Sequence, residues 1–90
     1  MANTKSAQKR NRQAQKRRLR NASVRTAVRS AVKRVREAIA THDAGKAAEA
    51  LREAMRTLGK AASKGVLDPR NAARRIARLA QALSDSAGRA

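Results

Sequence analysis

The sequence predicts an all-α fold: an antiparallel three-helix bundle whose long, basic first helix projects beyond the other two. Three observations carry this. From Val24 onward the apolar side chains recur at steps of three and four, the period of a helix, and no run alternates as a strand would. Alanine and arginine, both strong helix formers, are abundant, with 22 alanines in 90 residues. Turn and cap residues at Thr41-His42-Asp43 and at Gly65 to Pro69 divide the pattern into three, and such short connections make neighbouring helices antiparallel.

The first helix is expected from about residue 7 to residue 40, roughly 50 Å at 1.5 Å per residue. Its apolar stripe is Val24, Val28, Ala31/Val32, Val35 and Ala38/Ile39. Residues 5–20 carry no such stripe, and Leu19 is their one large apolar side chain. Five like-charged pairs would stand one turn apart in a helix: Lys5–Lys9, Arg12–Lys16, Lys16–Arg20, Arg25–Arg29 and Arg29–Lys33. Each costs about 0.2–0.5 kcal/mol, so this arm is expected to fray when the chain is alone.

Asp43 is placed to cap a second helix of about 20 residues. Its buried side is expected to be Ala47/Ala48, Leu51, Met55, Leu58 and Ala61/Ala62. Gly45 and Gly59 lie inside this pattern, each weakening it by up to about 1 kcal/mol relative to alanine. Gly65 suits the end of that helix. Asp68-Pro69 reads as the cap and first position of a third helix of about 16 residues. The third stripe is Ala72/Ala73, Ile76, Leu79/Ala80 and Leu83, with residues 84–90 expected to fray. The domain reading is therefore one unit over 1–90, with a basic arm at 1–20 and a helical bundle at 21–84.

Charge is the dominant feature of composition. Twenty-three Lys and Arg face six Asp and Glu, a net +17, and residues 1–36 contain no acid at all. Charge this one-sided points to a polyanionic partner, nucleic acid before an anionic membrane. The core is thin, because 22 of the 37 apolar residues are alanine, so the final order of the helices is expected to depend on that partner.

Several function classes are excluded. With no cysteine and one histidine there is no disulfide framework, thiolate site or histidine cluster, and neither metal nor cofactor is expected. The longest apolar run is three residues, Ala38 to Ala40, against about 20 for a membrane span and about 7–15 for a signal-peptide core. A cytoplasmic protein with no membrane partner is the expectation. Glu49 and Glu53 stand one turn apart, but each precedes an arginine by three residues, which reads as ordinary ion pairing with Arg52 and Arg56. His42 lies in a turn with no second catalytic or metal-binding group nearby. Ala44-Gly45-Lys46 lacks the second glycine and the preceding strand of a phosphate loop. No enzyme and no small-molecule substrate follow from this constellation.

The arm carries the functional signal. Lys5, Lys9, Arg10, Arg12, Lys16, Arg17, Arg18 and Arg20 fall within sixteen residues without one acid. Such a segment binds by neutralising phosphates and releasing counterions, and becomes ordered as it does so. Arginine adds a planar fork for bidentate phosphate contact. Gln8, Asn11, Gln13, Gln15 and Asn21 can contribute neutral contacts to sugar or phosphate. No Phe, Tyr or Trp is present to stack bases, so the shape of folded RNA, not single-stranded sequence, is what this chain can read. The third helix adds Arg70, Arg74, Arg75 and Arg78, with Arg74 and Arg78 on one face and Arg75 round the side. Two separated basic surfaces on one bundle would bridge two RNA segments.

Composition alone leaves a histone-like DNA compactor open. A membrane-active peptide or targeting presequence needs an apolar face that residues 5–20 lack. A basic zipper needs three to four heptads where this stripe has barely two.

Specific segments resolve the choice. Asn3-Thr4-Lys5-Ser6-Ala7-Gln8-Lys9-Arg10, Arg20-Asn21-Ala22-Ser23, and Lys33-Arg34-Val35 with Ala38-Ile39 resemble the bacterial small-subunit ribosomal protein S-twenty family. So do Ala62-Ser63-Lys64-Gly65-Val66-Leu67, Asn71-Ala72-Ala73-Arg74-Arg75 and Arg78-Leu79. Asp68-Pro69 stands where that family usually has His or Lys. The resemblance covers residues 2–83. It implies a three-helix structural protein of the 30S subunit that binds 16S ribosomal RNA directly and early in assembly. The free chain is expected to be monomeric. It implies RNA contacts at Lys5, Lys9, Arg10, Arg25, Arg29, Lys33, Lys64, Arg74, Arg75 and Arg78.

Overall fold

The computed structural model describes residues 4–88 and contains three helices: α1 (Lys5–Ala40), α2 (Ala44–Ser63) and α3 (Pro69–Gly88). No strand occurs among the described residues. The first three residues of the arm and the last two of the tail lie outside them.

Each helix starts on an oxygen that answers an unpaired backbone N–H. The Ala7 N–H donates to Thr4 Oγ1 at 3.3 Å, so α1 begins at Lys5, two residues before the start expected at about residue 7. The Lys46 N–H donates to Asp43 Oδ1 at 3.1 Å and the Arg70 N–H to Asp68 Oδ1 at 3.0 Å, the two caps expected from sequence.

Two helix ends share one geometry. After α2, Gly65 adopts φ +76°, its N–H donates to the Ala62 carbonyl, and the Val66 N–H reaches back to the Ala61 carbonyl, both at 3.0 Å. After α1, His42 takes the same left-handed position at φ +57°, with its N–H on the Ile39 carbonyl at 3.0 Å and the Asp43 N–H on the Ala38 carbonyl at 3.4 Å. This paired arrangement satisfies orphan carbonyls and usually takes glycine at the left-handed residue. His42 fills it at a steric cost.

Between these ends the helices pack through small side chains. The core is Val28, Ala31 and Val35 of α1, Ala54, Leu58 and Ala61 of α2, and Ala72 and Leu79 of α3. Val24, Val32, Ile39, Leu51, Leu67 and Ile76 close its edges. Alanine at the contacts lets the helix axes approach closely. The α1 stripe is the one expected; on α3, Ala72, Ile76, Leu79 and Leu83 turn inward as expected, while Ala73 and Ala80 are exposed. On α2, Ala54 is fully buried and Met55 is 47% exposed, the reverse of the expectation for Met55. A step of four from Leu51 reaches Met55, but the buried line of α2 runs through Ala47, Ala54, Leu58 and Ala61. A single helical stripe cannot decide between neighbours one position apart when the partner helices lie on both flanks.

Helix α3 also continues to Gly88, past the residue 84 limit expected for the bundle. Leu83, Ser86 and Ala87 line an apolar pocket with Ile39, His42 and Ala47 at the α1–α2 turn, so this last turn has a surface to lie against. The Gln81 amide donates to Asp85 Oδ1 at 3.0 Å along the same helix.

The molecule measures 67 × 22 × 15 Å. Helices of 20 residues span about 30 Å, and the 36 residues of α1 about 54 Å, so α1 outruns the bundle by its N-terminal half. Val24 is its first side chain against the core.

Candidate nucleic-acid interface

All eight arm cations, Lys5, Lys9, Arg10, Arg12, Lys16, Arg17, Arg18 and Arg20, are exposed on the projecting part of α1. Gln8, Asn11, Gln13 and Gln15 are exposed among them, and Asn21 is half-buried where the arm meets the bundle. Leu19 is 72% exposed, so the arm has no core of its own.

Helical order sorts these cations in a way that their run in sequence does not. Lys5, Lys9, Arg12, Lys16 and Arg20 step by four, three, four and four, and form one line along α1. Arg18, Arg25, Arg29 and Arg36 step by seven, four and seven, and form a second line about 160° round the helix at 3.6 residues per turn. The first line lies wholly on the arm, with Arg34 continuing its direction in the bundle, whereas the second, apart from Arg18, lies along the bundle.

Along the bundle the second line faces α3. Arg29, Lys33 and Arg36 of α1 meet Arg75 and Arg78 of α3 across a groove of about 750 Å³, floored by Val32, Leu79 and Ala82. Five cations share it with one carboxylate, Glu37. Arg75, not Arg74, is the neighbour of Arg78 in this groove. Lys64 stands apart as the exposed C-terminal cap residue of α2, and Arg74 and Arg70 are exposed elsewhere on α3. Arg75 and Arg78 of α3 thus share a surface with Arg29, Lys33 and Arg36 of α1, and the arm cations lie apart on the projecting part of the helix.

The opposite flank is different in kind. The α1–α2 groove, about 1030 Å³, is lined by Arg34, Lys46, Arg52 and Arg56 together with Glu37, Glu49 and Glu53. Four cations alternate with three carboxylates there. The expected Glu49–Arg52 and Glu53–Arg56 ion pairs do not close. Among the described residues the only ion pair is Lys33–Glu37, 3.9 Å apart with side chains 78% and 64% exposed. Exposed pairs of this kind contribute little, and solvation of each partner competes successfully with contact.

Sequence reading passed over Arg36. Its signal was its place seven residues after Arg29, on the same helical line. No group of three or more His, Cys, Asp or Glu able to hold a metal occurs among the described residues, and no described helix is long and apolar enough to cross a membrane.

A family model described as ribosomal protein S20 matches residues 2–84. The small ribosomal subunit protein bS20 of Anaeromyxobacter sp. (strain K) is 60% identical over 90 residues, covering 100% of this chain and 99% of its own. The protein of the same name from Maridesulfovibrio salexigens is 53% identical over 87 residues, covering 97% and 100%. That from Mycobacterium tuberculosis is 51% identical over 84 residues, covering 93% and 98%.

Proposed function

Because this chain belongs to the ribosomal protein S20 family, a family of structural constituents of the small subunit and not of enzymes, we propose that it binds 16S ribosomal RNA directly and stabilises its folding early in 30S assembly. Family membership places its work on the ribosome, in the cytoplasm. The observation that carries direct binding is the projecting helix: eight exposed cations, no acid, and no apolar face that a protein partner could bury.

Lys5, Lys9, Arg12, Lys16 and Arg20 engage phosphates from one side of the arm. Arg10, Arg17 and Arg18, round the remaining circumference, add fewer phosphate contacts. Arg25, Arg29 and Lys33 continue the contact into the bundle with Arg75 and Arg78, while Lys64 and Arg74 reach RNA at its edges. Phosphate neutralisation releases condensed counterions and orders the arm, so binding and arm folding are one event. Seventeen net positive charges oppose self-association, and the chain is a monomer when free.

Competition at physiological salt tests this reading. Folded 16S RNA should outcompete transfer RNA and duplex DNA by a hundredfold or more, about 2.7 kcal/mol. Equal competition by all three would reduce the chain to a general polyanion binder.

A further inference from the structure

We propose that, within the bundle, a phosphodiester strand of the RNA lies in the α1–α3 groove, held by Arg29, Lys33, Arg36, Arg75 and Arg78, and that the α1–α2 groove stays off the RNA. The inference rests on the RNA-binding reading above and adds to it a side, a track and a residue, Arg36.

Three observations carry it. The first is charge by flank: five cations against one carboxylate on the α1–α3 side, four against three on the α1–α2 side. A phosphate strand in the second groove would pass Glu37, Glu49 and Glu53 in turn, and like charges brought together cost free energy. The second is availability. All five groove cations are exposed, and only Lys33 has a carboxylate within 4.0 Å among the described residues. Phosphates can therefore take these donors without displacing a strong internal partner. The third is placement. Val32, packed on the core, and the buried Leu79 sit beneath the cations, and α2 packs against both α1 and α3, so side chains from positions some forty residues apart in sequence line one groove. A preformed groove lowers the ordering cost of binding.

Two variants of equal charge change decide between the flanks, with the full chain and a folded 16S RNA transcript as probe. One is Arg36→Gln, Arg75→Gln, Arg78→Gln; the other is Arg34→Gln, Arg52→Gln, Arg56→Gln. All six side chains are exposed, so neither set opens the core. Each phosphate contact contributes about 0.7–0.9 to the slope of log K against log salt. The first variant should lose about 2–3 in slope and about 100- to 500-fold in affinity at about 0.1 M salt. The second should keep the wild-type slope and bind within about threefold of wild type. Equal losses, or a larger loss from the second, would overturn the assignment.

The absence of cysteine permits a second, independent measurement. A hydroxyl-radical source tethered at Ala82→Cys in the α1–α3 groove should cut the RNA backbone, and one at Ala27→Cys in the α1–α2 groove should not. Cutting from position 27 alone, or equally from both, would refute the proposal. Loss of 16S preference by the wild-type chain is a separate outcome: it would remove the functional reading itself, whichever flank the variants favour.

Discussion

Replacing one line of the arm by glutamine separates a geometric interface from a mere surplus of charge. Lys5, Lys9, Arg12, Lys16 and Arg20 share one side of α1. Arg10, Arg17 and Arg18 point elsewhere round the same helix. An RNA strand that tracks one side reaches all five of the first group and few of the second. At about 0.7–0.9 per phosphate, the five-fold Lys/Arg→Gln variant should lower the salt slope by about 3.5–4.5. At about 0.1 M salt this is a loss of roughly 10⁴-fold in affinity. Glutamine keeps helix propensity close to that of lysine and arginine, so the arm retains its capacity to fold. The second group, changed together, should cost about 1 in slope or less, since the track reaches few of its members. The assay is binding to folded 16S RNA, titrated between about 0.05 and 0.2 M salt. Slope losses in simple proportion to charges removed, five to three, would refute the one-sided track. A loss below about 1 for the five-fold variant would refute the arm as the main phosphate contact.

Further expectations concern order and stability. Amides of residues 5–20 should exchange without protection in the free protein and become protected on RNA, because like-charged pairs one turn apart oppose the helix until phosphates intervene; protection throughout that segment in the free chain would contradict this. Leu58, fully buried between the helices, should cost about 2–5 kcal/mol when changed to alanine, read by urea or thermal melts of helicity. His42→Gly should stabilise the fold by about 1 kcal/mol by relieving the left-handed residue after α1, and Gly65→Ala at φ +76° should destabilise it by a similar amount. Gly59→Ala should gain up to about 1 kcal/mol, since an added Cβ meets nothing within 4 Å.

Much of this molecule was legible in one dimension. Spacing of Val24, Val28, Val35, Leu58 and Leu79 fixed helices and buried faces, because burial repeats with the helical period whatever the neighbours are. Asp43, Asp68 and Gly65 marked helix ends through local chemistry that needs no tertiary partner. The arm declared a phosphate partner by charge alone, and ordered motifs along the chain declared the family.

Tertiary structure decided what periodicity leaves open: which neighbour covers which flank. Ala54 is buried and Met55 exposed because α2 packs between α1 and α3 along a line that favours the smaller side chain. His42 takes a left-handed backbone because the short α1–α2 connection needs that geometry there. Most of all, packing α3 beside α1 joins Arg36 to Arg75 and Arg78, while α2 places Glu49 and Glu53 on the other side. A sequence specifies the angle of each side chain about its own helix. Only the packing of helices fixes those angles relative to one another, and that makes a basic chain into a molecule with a basic side.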